Sequence, residues 1–179
     1  QISAGLNFAL SGIPYWAMDI GGFSTESRYQ NAEGETLEEW REQMTRWFQF
    51  GAFCPLFRVH GEFPYREMYH VAPPEHPAYQ AMLDYDRLRY RLMPYIYTLA
   101  GMVTHQDYTI MRALVMDFNS DRKVMNVGDQ FMFGPGLLVA PILDQGAVRR
   151  MVYLPSGSTW KDAWGARWTW LPLMTCVVA

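Results

Sequence analysis

The chain is poor in cysteine, in net charge and in long apolar runs, and each shortage excludes a class of protein. Two cysteines, Cys54 and Cys176, are too few for a disulfide scaffold and fit no metal-ligand spacing. The formal net charge is -3 at pH 7, without a basic patch for nucleic acid. No segment has the roughly 18 consecutive apolar residues of a transmembrane helix. We therefore predict no metal, no nucleic-acid partner and no membrane span.

The two ends also lack the features of a complete protein. Residues 1–12 contain no initiating Met and no basic region, so they do not form a signal peptide. Residues 168–179 stop on an apolar run without a cap or a polar tail. The sequence therefore predicts a fragment of a longer chain.

What the chain has in quantity is apolar and aromatic. Half of its residues are hydrophobic, 16% are aromatic and seven are tryptophan, which is enough for a buried core. Large flat rings pack in cores more often than they bind ligands, but they also stack on the apolar faces of sugars. Composition leaves both interpretations open.

The periodicity of apolar residues divides the chain in two. Helix-like and strand-like segments alternate in the order 2–11, 13–19, 36–51, 53–61 and 78–106. A capping box at Thr36–Glu39 is expected to start the second helix, and Pro94 to kink the third. This alternation is typical of parallel β/α units. Beyond about residue 126, short strands with Gly and Pro turns predict an antiparallel all-β module.

Polar side chains are expected where the two predicted strands end. Asp19 ends the first strand, and Arg58 and His60 end the second. Side chains at the C-terminal ends of barrel strands face the active site, so we expect these three to converge on one mouth. A carboxylate, a guanidinium and an imidazole can together bind the hydroxyl groups of a pyranose. The pattern favours a sugar-binding site.

Glycine and aromatic residues surround Asp19. The glycines at 21 and 22 allow a sharp turn and a close approach of the backbone to a ligand. Phe23 is a candidate hydrophobic wall, and Tyr15 or Trp16 a candidate rim residue.

Each polar candidate also has an ordinary structural explanation. Asp19 can cap its own turn, because Asp-x-Gly-Gly is a common turn sequence. His60 can be a structural histidine and Arg58 the partner in an ion pair. The residues alone leave the choice open.

Four motifs occur in the order SGIPYWAMDIGGF, PLFRVHG, RYRLMPYIYTLA and QFMFGPGLLVAPI. In this order they resemble glycoside hydrolase family 31, the retaining α-glucosidases and α-xylosidases, over about residues 1–165. The resemblance implies an α/β fold, namely the C-terminal part of a (β/α)8 TIM barrel followed by an all-β sandwich segment. Residues 1–125 would hold about barrel strands seven and eight, and residues 126–179 a truncated part of the C-terminal β-sandwich.

The same resemblance implies roles for individual residues. Asp19 and His60 resemble the strand-seven aspartate and strand-eight histidine that bind sugar hydroxyls in subsite -1. Arg58 resembles the arginine that steadies the charge of the nucleophile, and Phe23 the aromatic wall of the subsite. Trp16 is also a candidate substrate-binding residue, although a strand residue can face either way.

The chain departs from the family at the catalytic groups. The W-x-D-x-[NS]-E type motif of the nucleophile and the G-D motif of the acid/base are both absent. We therefore predict no catalytic residue in this chain and no activity without the rest of the barrel. The likeness fades after about Arg167, which a truncated or frame-shifted gene would explain.

The resemblance also narrows the substrate. The strand-seven and strand-eight motifs are closer to the bacterial α-xylosidase branch, so terminal α-xylosyl units of oligosaccharides are expected, with α-glucosidase as the alternative. The family needs no cofactor, since two carboxylates suffice. A non-catalytic carbohydrate-binding module and a remnant that does not fold alone are further alternatives. A periplasmic or extracellular bacterial location is expected from the substrate only.

Overall fold

The computed structural model describes residues 1–163 and 176–178. Its α-helices are α1 (Ile2–Leu10), α2 (Gly34–Gly51), α3 (Met68–Val71), α4 (Pro77–Arg91), α5 (Met93–Gln106) and α6 (Leu114–Asp117). Its strands are β1 (Met111–Ala113), β2 (Phe131–Phe133), β3 (Leu137–Ala140) and β4 (Cys176–Val178), and 3₁₀ turns span Ser27–Tyr29 and Arg122–Asn126. No helix among these residues is both long and apolar enough to cross a membrane.

Helix α1 forms as its apolar spacing predicts. Ile2, Leu6 and Ala9 are buried on one face. The helix ends at Ser11, and Gly12 follows with a φ of +81°, a left-handed conformation that costs glycine little.

Helix α2 begins differently from its prediction. It starts at Gly34 after the N-cap residue Glu33, and no side chain caps it, so the predicted capping box at Thr36–Glu39 is wrong. Thr36 thus lies within the first turn of the helix, where it cannot be the N-cap residue. The Glu39 carboxylate instead accepts from Arg28 Nη1 and Nη2 at 2.5 and 2.7 Å. This contact holds the pKa of Glu39 below its ordinary value.

The long helix predicted over 78–106 consists of two helices. Helix α4 ends and α5 begins on either side of Leu92, two positions before Pro94. Proline has no N–H and its ring crowds the carbonyl four residues earlier, so the hydrogen-bond ladder cannot continue through it. The predicted interruption at Pro94 is confirmed, with Pro94 in the first turn of α5.

Neither predicted strand forms a strand ladder in the described residues, and turns and bends occupy residues 53–56 of the second one. The two extended segments, residues 13–20 and 57–61, lie side by side and share one isolated parallel bridge, Ile20 to Val59. Pro14 and Pro55 remove one amide donor from each predicted strand, which shortens any ladder between them. The prediction of regular strands is wrong, while their parallel adjacency is present.

The predicted antiparallel strands form a sheet in the order β1-β2-β3-β4, but the sheet begins before residue 126, because β1 (Met111–Ala113) is one of its strands. The side chains of Phe131 and Phe133 pack into the larger apolar core with α1, α2 and α4, while Met132 between them packs into a second cluster. This alternation follows from the two-residue period of a strand. Between α5 and the second strand, the chain forms β1 and then the short helix α6. The sheet therefore separates two apolar layers.

Tyr95 attaches the sheet to α5. Its hydroxyl donates to the carbonyl of Phe133 at 2.9 Å and accepts from the amide of Gly136 at 3.0 Å. Burial raises the pKa of Tyr95 above its ordinary value. One hydroxyl thus satisfies two backbone groups of the hairpin between β2 and β3.

We predict that Tyr95→Phe lowers the free energy of unfolding by about 1–3 kcal/mol, because it leaves two backbone groups without their partner. Tyr97→Phe on the same helix is the matched control, since Tyr97 is 82% exposed and its loss should change stability little. Urea unfolding of a protein that contains the whole chain measures both. Equal stabilities of the two variants would contradict the role of Tyr95.

Candidate functional site

A carboxylate and a guanidinium group form an ion pair where the two extended segments end. The amide of Ile20 donates to the carbonyl of Arg58 at 3.3 Å, and this contact places the residue before it, Asp19, beside the Arg58 side chain. Arg58 Nη2 donates to Asp19 Oδ1 at 2.6 Å. The Arg58 side chain is 57% exposed. The Asp19 side chain is 22% exposed, so one side of the ion pair faces solvent.

A pair of rings lies on the loops that follow these two segments. The centroids of the Phe23 and His60 rings are 5.7 Å apart and the rings are tilted by 42°. Phe23 is 52% exposed, although an apolar ring of its size is usually buried. The structure therefore brings together four of the predicted site residues as two contacting pairs.

The glycines after Asp19 have the conformation and the close contacts that need glycine. Gly21 and Gly22 have φ values of +88° and +79°, and the Gly22 amide donates to the carbonyl of Asp19 at 2.8 Å. A Cβ atom on Gly21 would lie 2.5 Å from the sulfur of Met44 in α2. The turn after Asp19 is thus held close against the core.

Trp16 lies apart from the two pairs. Its ring packs against Phe8 of α1 with 5.0 Å between centroids, and a Cβ on Gly5 would lie 2.9 Å from its Nε1. Successive residues of an extended segment point to opposite sides, so Trp16 belongs to the side that faces α1. The structure does not bring it to Asp19, and its part in substrate binding stays a prediction.

Sequence reasoning missed Arg66, which lies under both loops of the site. Its side chain is buried, with the residue 3% exposed, and it donates hydrogen bonds to carbonyls of both loops. Burial lowers its pKa from the ordinary arginine value. No sequence spacing marks this residue, because its partners are backbone groups up to 44 positions away.

Two cavities of the structure do not enclose these two pairs. A cavity of about 800 Å³ lies between α1, α2 and the sheet module, and residues Trp47, Phe50 and Ile142 are among those that line it. A second one, of about 630 Å³, borders Arg58 but none of the other three residues. Over residues 1–163, no three His, Cys, Asp or Glu side chains group as a metal site would require. The candidate site is an open face formed by two loop ends.

Two family models match the chain. The model described as the glycosyl hydrolases family 31 TIM-barrel domain matches residues 1–99, and the family 31 C-terminal domain model matches residues 107–173. The second match extends past Arg167, where the motif likeness was expected to fade, so that expectation is corrected. Residues 164–175 lie outside the described part of the structure.

Individual relatives agree with the family models. An α-xylosidase of Saccharolobus solfataricus is 45% identical over 92% of this chain. The crystal structure of a family 31 α-xylosidase from Xanthomonas citri is 55% identical over 90% of the chain, with a TM-score of 0.88. Alpha-glucosidase 2 of Bacillus thermoamyloliquefaciens is 35% identical over 89%. The chain spans 21%, 18% and 18% of these proteins, respectively.

We predict that Gly21→Ala destabilises the protein more than Gly12→Ala. Both glycines have left-handed φ values, +88° and +81°, so the backbone conformation of either alanine lowers the free energy of unfolding by about 1–2 kcal/mol. Only at Gly21 does the added carbon meet another group, since nothing lies within 4 Å of a Cβ at Gly12. Thermal unfolding of the two variants measures the difference, and an equal loss of stability would contradict the close packing at Gly21.

Proposed function

The chain belongs to glycoside hydrolase family 31, and from this membership we propose that it forms part of a retaining, exo-acting α-xylosidase. In this proposal the two loop ends form part of the subsite that holds the terminal α-xylosyl unit of an oligosaccharide. The first 125 residues supply the end of the barrel, and the residues from 126 onward start the C-terminal β-sandwich.

The observation that carries the proposal is the pairing of Asp19 with Arg58 and of Phe23 with His60, where two adjacent segments end. A carboxylate accepts hydrogen bonds from neighbouring sugar hydroxyls, and an imidazole donates to a hydroxyl or accepts from it. The exposed Phe23 ring offers an apolar surface for the sugar face. Together these groups can hold a pyranose by its hydroxyls on one side and by its carbon skeleton on another.

The chemistry of a retaining glycosidase needs two carboxyl groups about 5–5.5 Å apart, one as nucleophile and one as acid/base. The motifs for both are absent from this sequence. We assign Asp19 to binding, because its carboxylate is already engaged by Arg58. In the whole enzyme, Arg58 would extend its positive charge towards the nucleophile, which the rest of the barrel supplies. The chain by itself is expected to be inactive.

The α-glucosidase relative keeps a second candidate function open, namely release of terminal α-glucosyl units. Xylose and glucose differ by the hydroxymethyl group of glucose. Discrimination at one such group amounts to about 1–3 kcal/mol, so a small change in the pocket is enough to reverse the preference.

The test is to graft residues 1–163 into the Xanthomonas citri α-xylosidase in place of the matching segment, and to assay p-nitrophenyl α-xyloside and α-glucoside in parallel. We expect higher kcat/KM for the xyloside. Asp19→Ala should reduce it at least about 30-fold, because a hydrogen bond to a charged group contributes about 2 kcal/mol. Asp84→Ala is the control, since this carboxylate pairs with Arg87 on the exposed side of α4.

Each alternative result has a defined meaning. A preference for the glucoside would agree with membership of family 31 but would make α-glucosidase, and not α-xylosidase, the activity. No turnover of either substrate by a folded protein would contradict the enzyme proposal and favour a carbohydrate-binding module. Equal losses for Asp19→Ala and Asp84→Ala would remove Asp19 from the binding site.

A further inference from the structure

We propose that Arg66 is a positioning residue, which holds the loop after Asp19 and the loop after His60 in one arrangement and so sets the spacing of the sugar-binding groups. The inference rests on the proposed function. Arg66 itself lies beneath the site, and its effect on a sugar would pass through Phe23 and His60.

The hydrogen bonds of Arg66 are divided between the two loops. Nη2 donates to the carbonyl of Gly22 at 2.7 Å and to that of Phe23 at 3.2 Å. Nη1 donates to the carbonyls of Glu62 and Pro64. The planar guanidinium has donors in a fixed fork, so its two arms relate the positions of the two loops to each other.

Arg66 is buried, so its hydrogen bonds to the two loops, which together form a bridge between them, cannot be replaced by water. A buried cationic group is unfavourable unless its donors are hydrogen-bonded, and here backbone carbonyls of both loops accept from Nη1 and Nη2, while Nε has no partner among the described residues. The guanidinium carbon also lies 5.4 Å from the centre of the Trp40 ring of α2. Moving either loop would therefore leave part of a buried charge without partners.

Two glycines make room for the guanidinium. A Cβ on Gly61 would lie 2.7 Å from Arg66 Nη2 and 2.7 Å from the Gly22 carbonyl oxygen. A Cβ on Gly21 would lie 3.1 Å from Arg66 Cδ. Both loops thus contact the guanidinium without intervening side chains, and this contact explains why small residues flank Asp19 and His60.

The bridge connects directly to the rings of the site. The Phe23 carbonyl accepts from Arg66 Nη2 and also from the amide of Glu62 at 2.8 Å. His60 is two positions before Glu62 in the chain. The distance of 5.7 Å between the Phe23 and His60 rings is thereby set by backbone groups that Arg66 binds.

Arg89 provides a matched control. It is equally a buried arginine, 7% exposed, and it donates to the carbonyls of Ala52, Cys54 and Pro55. These carbonyls lie just before the second extended segment, away from Phe23 and His60. Loss of Arg89 should therefore cost stability without changing the spacing of the site.

The experiment compares Arg66→Gln and Arg89→Gln in the grafted xylosidase, each assayed well below its own thermal midpoint. Both variants should melt at lower temperature. Only Arg66→Gln should raise KM for p-nitrophenyl α-xyloside, by about tenfold or more, with a smaller change in kcat, because the displaced groups bind the sugar and are not the reacting carboxylates. Arg66→Lys should have a KM nearly as high as that of Arg66→Gln, since the single ammonium group of lysine cannot donate to carbonyls of both loops as the guanidinium does.

Hydrogen exchange of the Glu62 amide gives a second readout that needs no activity. Protection should be lost in Arg66→Gln and kept in Arg89→Gln. An unchanged KM with full protection in Arg66→Gln, an equal rise of KM in both variants, or full rescue by lysine would each overturn the inference. An inactive parent protein would contradict the proposed function alone, because the exchange measurement still tests the bridge.

Discussion

The lateral contact between the two extended segments is the interaction on which the rest of the molecule depends. It consists of the bridge from Ile20 to Val59 and the hydrogen bond from the Leu56 amide to the Trp16 carbonyl, 3.1 Å long. Ile20 is almost fully buried, and a Cβ on Gly51 at the end of α2 would lie 2.7 Å from its Cδ1. One contact therefore sets the position of α2 and places Asp19 beside Arg58.

The second extended segment is stabilised by side chains more than by a strand ladder. Backbone carbonyls in irregular, buried segments need donors from elsewhere. Arg89 supplies them just before the segment, and Arg66 supplies them just beyond its end. Two buried guanidinium groups thus bind the backbone on either side of the second segment, and the one near the site also binds the neighbouring loop.

In the proposed glycosidase, this chain and the rest of the protein would supply different groups. Its described residues bring a carboxylate beside a guanidinium and an imidazole beside an aromatic ring, while the sequence lacks the motifs of both catalytic carboxylates. In that proposal, sugar binding and bond cleavage would depend on different barrel strands. That division is consistent with a chain that spans about a fifth of the α-xylosidases it resembles.

The sequence by itself determined the family, the three long helical regions, the irregularity at Pro94 and the change to an antiparallel sheet, because local periodicity, proline chemistry and contiguous motifs carry that information. The tertiary structure alone decided the rest. In the structure, Trp16 packs against α1, Glu39 pairs with Arg28 and forms no capping box, and Arg66 is buried between two loops. Each of these depends on groups far apart in the chain, and in the last case on backbone carbonyls, which every residue has and no sequence pattern distinguishes.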